Sequence, residues 1–270
     1  MVHTLTPLTI GELLDRAFAY YRRHFVLFAG IAAVPGVFLL AFQLVSVFFK
    51  PAGAGALVGL IFWLTLAMVS LVTNTMAHGA TVVAVSQLEL GRETDIGAAF
   101  NSIRPRVGEL IVLSLNIGVR VMLGTLLLIV PGILLALRYS LAIPVAVLEH
   151  AGVSQSLFRS VTLTQGHRGR ILLIYVLLFV LIIVAGMLWP FLGMLVFRVT
   201  FSAIQAGQTP AWMQIVLQFG GFINQSLIAP IMTIALTLVY YDERVRKEAF
   251  DLEHMMQQLD DAVSGAPHTA

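Results

Sequence analysis

The stretch from Thr9 to Phe49 reads TIGELLDRAFAYYRRH followed by FVLFAGIAAVPGVFLLAFQLVSVFF, and its two halves obey different rules. In the first half Ile10, Leu13, Leu14, Ala17, Phe18 and Tyr21 recur at i, i+3, i+4 spacing, which predicts one apolar face on a short helix. Thr9 and Glu12 have the spacing of a capping box, in which each side chain satisfies a backbone N–H at the helix start. Arg22 and Arg23 close that helix. The second half, Phe25–Phe49, carries no charge and exceeds the roughly 20 apolar residues needed to cross a bilayer's hydrocarbon core. An amphipathic helix with a basic end, leading into a membrane span, is the unit from which the rest of the chain can be read.

Five further apolar runs follow, near 56–88, 107–130, 133–148, 171–196 and 212–241. The second is longer than one crossing. Pro131-Gly132 is expected to turn the chain between the third and fourth, and Pro230 to kink the sixth. Of the 270 residues 59% are hydrophobic and 11% charged, and mean hydropathy is +0.92. A soluble domain keeps about a quarter of its residues charged, so lipid is the solvent for much of this surface. The expected fold class is an all-α membrane protein of six transmembrane helices. The expected organisation is an interfacial helix over 1–24, a six-span domain over 25–241 and a tail over 242–270. The first apolar run is too long for a cleaved secretory signal and stays as a span.

Lys and Arg placement orients the chain. Arg16, Arg22 and Arg23 precede span one; Arg92, Arg104 and Arg106 lie between two and three; Arg159, Arg168 and Arg170 lie between four and five; Arg244, Arg246 and Lys247 follow six. The other side has Lys50 and Arg198. Both termini are therefore expected in the cytoplasm. The cytoplasmic segments also align with one another. Thr9–Leu14 matches Asp95-Ile96-Gly97-Ala98-Ala99-Phe100, and less closely Val153-Ser154-Gln155-Ser156-Leu157-Phe158. Asp95 is expected to cap the second copy and Ser154 the third, whose apolar face would be Leu157, Phe158 and Val161. The architecture implied is a threefold repeat of one interfacial helix plus two spans.

Arg120 and Arg138 interrupt apolar runs, at a cost of about 2.5–3.5 kcal/mol each at a span centre, and such residues usually face protein or water. Each has a glutamate eleven residues away on its own span, Glu109 and Glu149, three helical turns along one face. Asn116 lies one turn from Arg120. This set is the candidate cavity for an anionic group such as a lipid phosphate, which the planar guanidinium binds bidentately. The structural alternative is snorkelling, or bonding to the carbonyls of a broken helix. A second polar set, Asn74, His78 and Thr81 on span two with Asn224 and Gln225 on span six, can line a pathway or tie spans together by hydrogen bonds. Gly220-Gly221 is expected to allow close span packing.

No cysteine is present, no His or carboxylate spacing suggests a metal, and no phosphate-binding loop or nucleophile elbow occurs. No cofactor and no metal are expected. No basic patch with interleaved aromatics points to nucleic acid. Of the tail, Asp242–Leu259 is helix-prone, with a stripe of Phe250, Leu252, Met255, Met256 and Leu259, and Asp260–Ala270 is expected to be disordered.

Several segments resemble a known family. These are Thr9–Phe18 with Tyr20–Phe25; Pro131-Gly132-Ile133 with Arg138–Ala142 and Pro144-Val145; Ser160 and Leu163-Thr164 through Gly166-His167-Arg168; and Tyr240-Tyr241-Asp242 with Arg244–Glu248 and Phe250–Glu253. Together they resemble the glycerophosphoryl diester phosphodiesterase membrane-domain type of bacterial integral membrane proteins. The resemblance implies a six-span protein of a prokaryotic plasma membrane. Some relatives carry a soluble phosphodiesterase domain after this region; none is expected here, nor is enzymatic activity. The expected function is to bind, organise or transport an anionic lipid or amphiphile through the arginines, with membrane lipids as partners. One alternative is a scaffold that recruits a partner through the tail. The other is an intramembrane enzyme acting on a lipid phosphodiester with Glu109, Glu149 and His167.

Overall fold

The computed structural model describes residues 8–48, 55–197 and 210–264. Lys50, Arg198 and most of the loop around 200–210 lie outside the described residues. Among those described the chain is helical and contains no strand. In chain order the helices are α1 (Ile10–Arg23), α2 (Phe25–Phe48), α3 (Ala56–Glu89), α4 (Ile96–Ile103), α5 (Val107–Leu127), α6 (Ile129–Arg138), α7 (Ala142–Leu148), α8 (Val153–Thr164), α9 (Arg168–Phe197) and α10 (Ala211–Ser264). Six segments are long and apolar enough to cross a membrane: Phe25–Val47, Ala56–Glu89, Ile96–Leu127, Ile129–Leu148, Arg168–Leu195 and Ala211–Glu248.

Burial shows which helix is central. Half of the apolar window of the α10 span is buried inside the protein, against 11% for α3. α10 packs on α2, α9, α1 and α3. The packed interior concentrates toward the end of the bundle that carries the chain's basic segments, around Leu13, Phe28, Ile31, Leu141, Leu163, Ile171, Ile234 and Tyr240. Elsewhere large apolar side chains point outward. Leu126 and Leu127 at the tip of the α5–α6 hairpin are 83% and 80% exposed. In water such a surface would drive aggregation; in hydrocarbon it is solvated.

Local signals set several boundaries. The Thr9–Glu12 capping box forms, with the Thr9 backbone N–H donating to Glu12 Oε2 at 2.7 Å. Asp95 Oδ1 accepts from Ala98 N and caps α4. α8 starts at Val153 behind Gly152, two residues earlier than a Ser154 cap would place it, with no side-chain cap. Its buried face is also shifted: Ser156, Leu157, Ser160, Leu163 and Thr164 face inward, while Phe158 is 74% exposed. Here packing against the broken fourth span prefers hydroxyls to an aromatic ring.

The turn between the third and fourth spans is at Leu128, in extended conformation (φ −162°, ψ 146°), and not at Pro131-Gly132. Pro131 instead occupies the first turn of α6, where its missing N–H removes no helical bond. Gly132 serves packing: a Cβ there would overlap the Thr125 side chain and backbone, so its absence lets α5 and α6 approach closely. The fourth span, expected to be one helix, divides at Tyr139–Leu141 into α6 and α7. Pro144 contributes, since it has no N–H to donate to the Ser140 carbonyl. Pro230 lies inside α10, and Pro35 lies inside α2. α10 runs without a break from the span through Ser264, so residues 260–264, expected to be disordered, are helical.

Candidate functional site

Charged residues from distant parts of the chain meet at the basic end of the bundle. Asp242 accepts from the Leu8 backbone N–H at 2.7 Å, from Arg246 Nε at 2.8 Å and from Arg170 Nη1. The same two arginines donate to the Leu8 carbonyl, each at 2.7 Å. Glu243 lies 2.6 Å from His167 Nδ1 and accepts from Arg170 at 3.2 Å. The side chains of Asp242 and Glu243 are 2% and 0% exposed. Buried carboxylates survive only when paired and hydrogen-bonded, and these are. The network ties the segment before α1 to the starts of α9 and the inner part of α10. Beside it Glu149 accepts from Arg159 at 3.3 Å and from the Tyr240 hydroxyl at 3.0 Å, and Arg159 reaches Glu248 at 2.5 Å. Arg16 pairs with Glu89 at 2.7 Å.

The break in the fourth span is repaired from α8. The Ser160 hydroxyl donates to the Arg138 carbonyl at 2.8 Å and accepts from Leu141 N at 3.3 Å, thereby satisfying peptide groups on both sides of the break. The Tyr139 ring stands beside this break. Arg120, exposed on α5, donates to the Tyr139 hydroxyl at 3.0 Å, and its guanidinium carbon lies 5.6 Å from the ring centroid. A groove of about 460 Å³ opens here between α5 and α6, walled by Arg120, Leu123, Leu127, Pro131, Leu135 and Tyr139. Among the described residues no carboxylate pairs with Arg120 or Arg138. The Nε of Arg138 and the side-chain oxygen of Asn116 are buried without hydrogen-bond partners.

The five residues expected to form one cationic cavity thus divide. Arg120 and Arg138 belong to the broken hairpin, with Asn116 one turn before Arg120. Glu109 is held at 2.7 Å by Arg106, three residues earlier in its own chain segment. Glu149 belongs to the Arg159–Tyr240 cluster. Three turns along α5 separate Glu109 from Arg120, and the break in the fourth span lies between Arg138 and Glu149; nearer arginines claim both glutamates. In the alternative set of Glu109, Glu149 and His167 each residue has a partner of its own: Arg106, Arg159 with Tyr240, and Glu243.

The second polar set is mostly gathered. Asn74, His78, Thr81 and Gln225 line one chamber between α2, α3 and α10, joined by Thr233, whose hydroxyl is 2.8 Å from His78 Nδ1. Asn224 faces the other way, toward Leu188, Trp189 and Leu192 of α9. Gly220 permits that contact, because a Cβ there would overlap the Trp189 indole, whose N–H donates to the Leu217 carbonyl at 3.0 Å. Gly221 has open space around it and takes no part in close packing. Thr233 was missed in the sequence because a threonine in an apolar span is unremarkable until its partner histidine is known.

A family model described as the membrane domain of glycerophosphoryl diester phosphodiesterase matches residues 111–264, more than half of the chain. The chain belongs to this membrane-domain family. With its six candidate spans it is an integral membrane protein. The matched membrane domain starts inside α5 and ends with α10, so it contains the Arg120–Tyr139 pair, the broken fourth span, Ser160 and all of the Asp242–Glu243 network except Leu8. No curated protein and no solved structure matches the chain.

Proposed function

We propose that this membrane-domain protein is non-enzymatic and binds an anionic lipid at the α5–α6 groove, with Arg120 as the phosphate anchor. One observation carries the reading: an arginine within a span faces an open apolar groove and has a single phenol as its hydrogen-bond partner among the described residues. Guanidinium has five N–H donors, and Tyr139 takes one. A cation left so in hydrocarbon is costly, and a lipid phosphate supplies both the counter-charge and bidentate acceptors. Arg138 brings a second cation to the same break. The Tyr139 ring holds the Arg120 guanidinium in place, so little side-chain freedom is lost on binding.

The reading places the protein in a prokaryotic plasma membrane with both termini in the cytoplasm, supported by the twelve cations gathered on one side of the sequence. It treats α1, α4 and α8 as interfacial helices of a threefold repeat, supported by the order helix, span, span that follows each of them. The test is lipid retention by the purified full chain. Native mass spectrometry is expected to show phosphatidylglycerol retained over phosphatidylcholine, with the preference lost in Arg120→Leu and kept in Tyr139→Phe. Equal retention by wild type and Arg120→Leu would sink the assignment. A second reading, a scaffold, is favoured by the continuation of α10 past the ion-pair network to Ser264. A partner lost from pull-downs when residues 249–270 are deleted would support it.

A further inference from the structure

The chamber between α2, α3 and α10 has chemistry unlike that of the arginine groove. Its volume is about 130 Å³, and Asn74, His78, Thr81, Gln225 and Thr233 supply its polar wall. Among the described residues no Asp, Glu, Lys or Arg lines it. Two of its polar groups are unmatched among the described residues. Gln225, exposed, makes no hydrogen bond to them. Asn74, also exposed, uses its amide N–H on the Ser70 carbonyl at 2.8 Å, and its oxygen has no partner there. Next to the chamber, outside its lining, the Ser226 hydroxyl is buried and unpartnered among the described residues. Pro35 and Pro230, both on the chamber wall, lack the N–H that would bond to the Ile31 and Ser226 carbonyls. Both prolines lie twelve residues from the basic end of the bundle, Pro35 from Arg23 and Pro230 from Asp242, about 18 Å of helix. That places the chamber near the middle of a hydrocarbon core about 30 Å thick.

A charged group entering it would lose hydration and find no counter-charge. An apolar group would leave the polar wall unsatisfied. The fitting guest is uncharged and carries several hydroxyl or amide groups. At about 30 Å³ per water-sized group, the chamber holds roughly four. A second compartment, of about 400 Å³, shares Gly36, Leu39 and Gln225 with the first and runs away from the basic end along Leu40, Leu217, Gly221 and Phe222, with Gln43 and Gln218 also on its wall. A small polar chamber continuing into a mostly apolar groove has the shape of an amphiphile.

We infer that this chamber and groove bind a neutral amphiphile, its small hydroxyl-bearing head among Asn74, His78, Gln225 and Thr233 and its hydrocarbon chain between α2 and α10. The site is separate from the α5–α6 groove and stands or falls independently of it. The test uses the full chain in phosphatidylcholine nanodiscs and a monoacylglycerol with a photoreactive group on its acyl chain. Saturable labelling of α2 and α10 peptides is expected, displaced by unlabelled monoacylglycerol and not by oleate. Gln225→Leu is expected to weaken it about tenfold, the loss of one hydrogen bond to the head. Gly221→Leu fills the groove where the glycine has open space, so it should abolish labelling while the melting temperature holds. Arg120→Leu should leave labelling unchanged. Labelling that does not saturate, that oleate displaces equally well, or that persists in a folded Gly221→Leu would overturn the inference.

Discussion

Ser160 and Arg120 act on the same broken span in opposite senses. Ser160 removes a penalty, because its hydroxyl serves the Arg138 carbonyl and the Leu141 N–H across the break. Ser160→Ala leaves both without that partner, and about 1–3 kcal/mol should be lost in thermal unfolding in detergent, with Ser160→Thr losing less. Arg120 keeps a penalty in place, so Arg120→Leu is expected to be neutral or stabilising while anionic-lipid retention falls. At the other end of the chain, the Thr9 backbone N–H and hydroxyl both donate to the Glu12 carboxylate and hold its pKa below the ordinary value. Since the folded pKa is the depressed one, this contribution is complete above the unfolded value of about 4.3 and fades as pH falls through the folded value. Hydrogen exchange at the start of α1 should therefore speed up, relative to intrinsic rates, below about pH 4. Glu12→Gln should abolish that dependence. The capping box could be read from the sequence because its partners are three residues apart. Ser160 could not, because its partners lie 22 and 19 residues away and become neighbours only after α8 folds back on the break.

Among elements, the α5–α6 hairpin shows how glycines with the same sequence signal differ in consequence. Gly132 faces Thr125 with no room for a Cβ, whereas Gly118 on α5 has nothing within 4 Å of where a Cβ would stand. Gly132→Ala should cost about 1–3 kcal/mol through overpacking. Gly118→Ala should gain several tenths to about 1 kcal/mol from helix propensity. The two melting temperatures, measured side by side, check the close approach of the hairpin; a neutral Gly132→Ala would contradict it. The expected turn at Pro131-Gly132 reflects how strongly that dipeptide signals a turn when read alone. The actual turn at Leu128 needs no special residue, since its extended backbone is open to any side chain. Proline then opens the following helix, where its geometry fits.

For the whole molecule, the Asp242–Glu243 network is the knot that joins the chain's first described residues to its last span, across 234 positions. Asp242→Ala would leave Arg170 and Arg246 without their shared buried partner and release the Leu8 N–H. About 3–5 kcal/mol should be lost, together with faster proteolysis before α1. Unchanged proteolysis would show that the segment is held by other contacts. The number of spans, their lengths and the clustering of cations on one side were determined by sequence alone, because transfer into hydrocarbon depends on composition summed over about twenty neighbouring residues. Which polar side chains meet was decided only by tertiary structure. Eleven-residue spacing pairs Glu109 with Arg120 and Glu149 with Arg138 on paper, yet the fourth span breaks between the second pair, arginines closer in space claim both glutamates, and Thr233 finds His78 across 155 positions. Hydrogen bonds and ion pairs act over a few ångströms, so their partners are chosen by helix packing and not by periodicity along the chain.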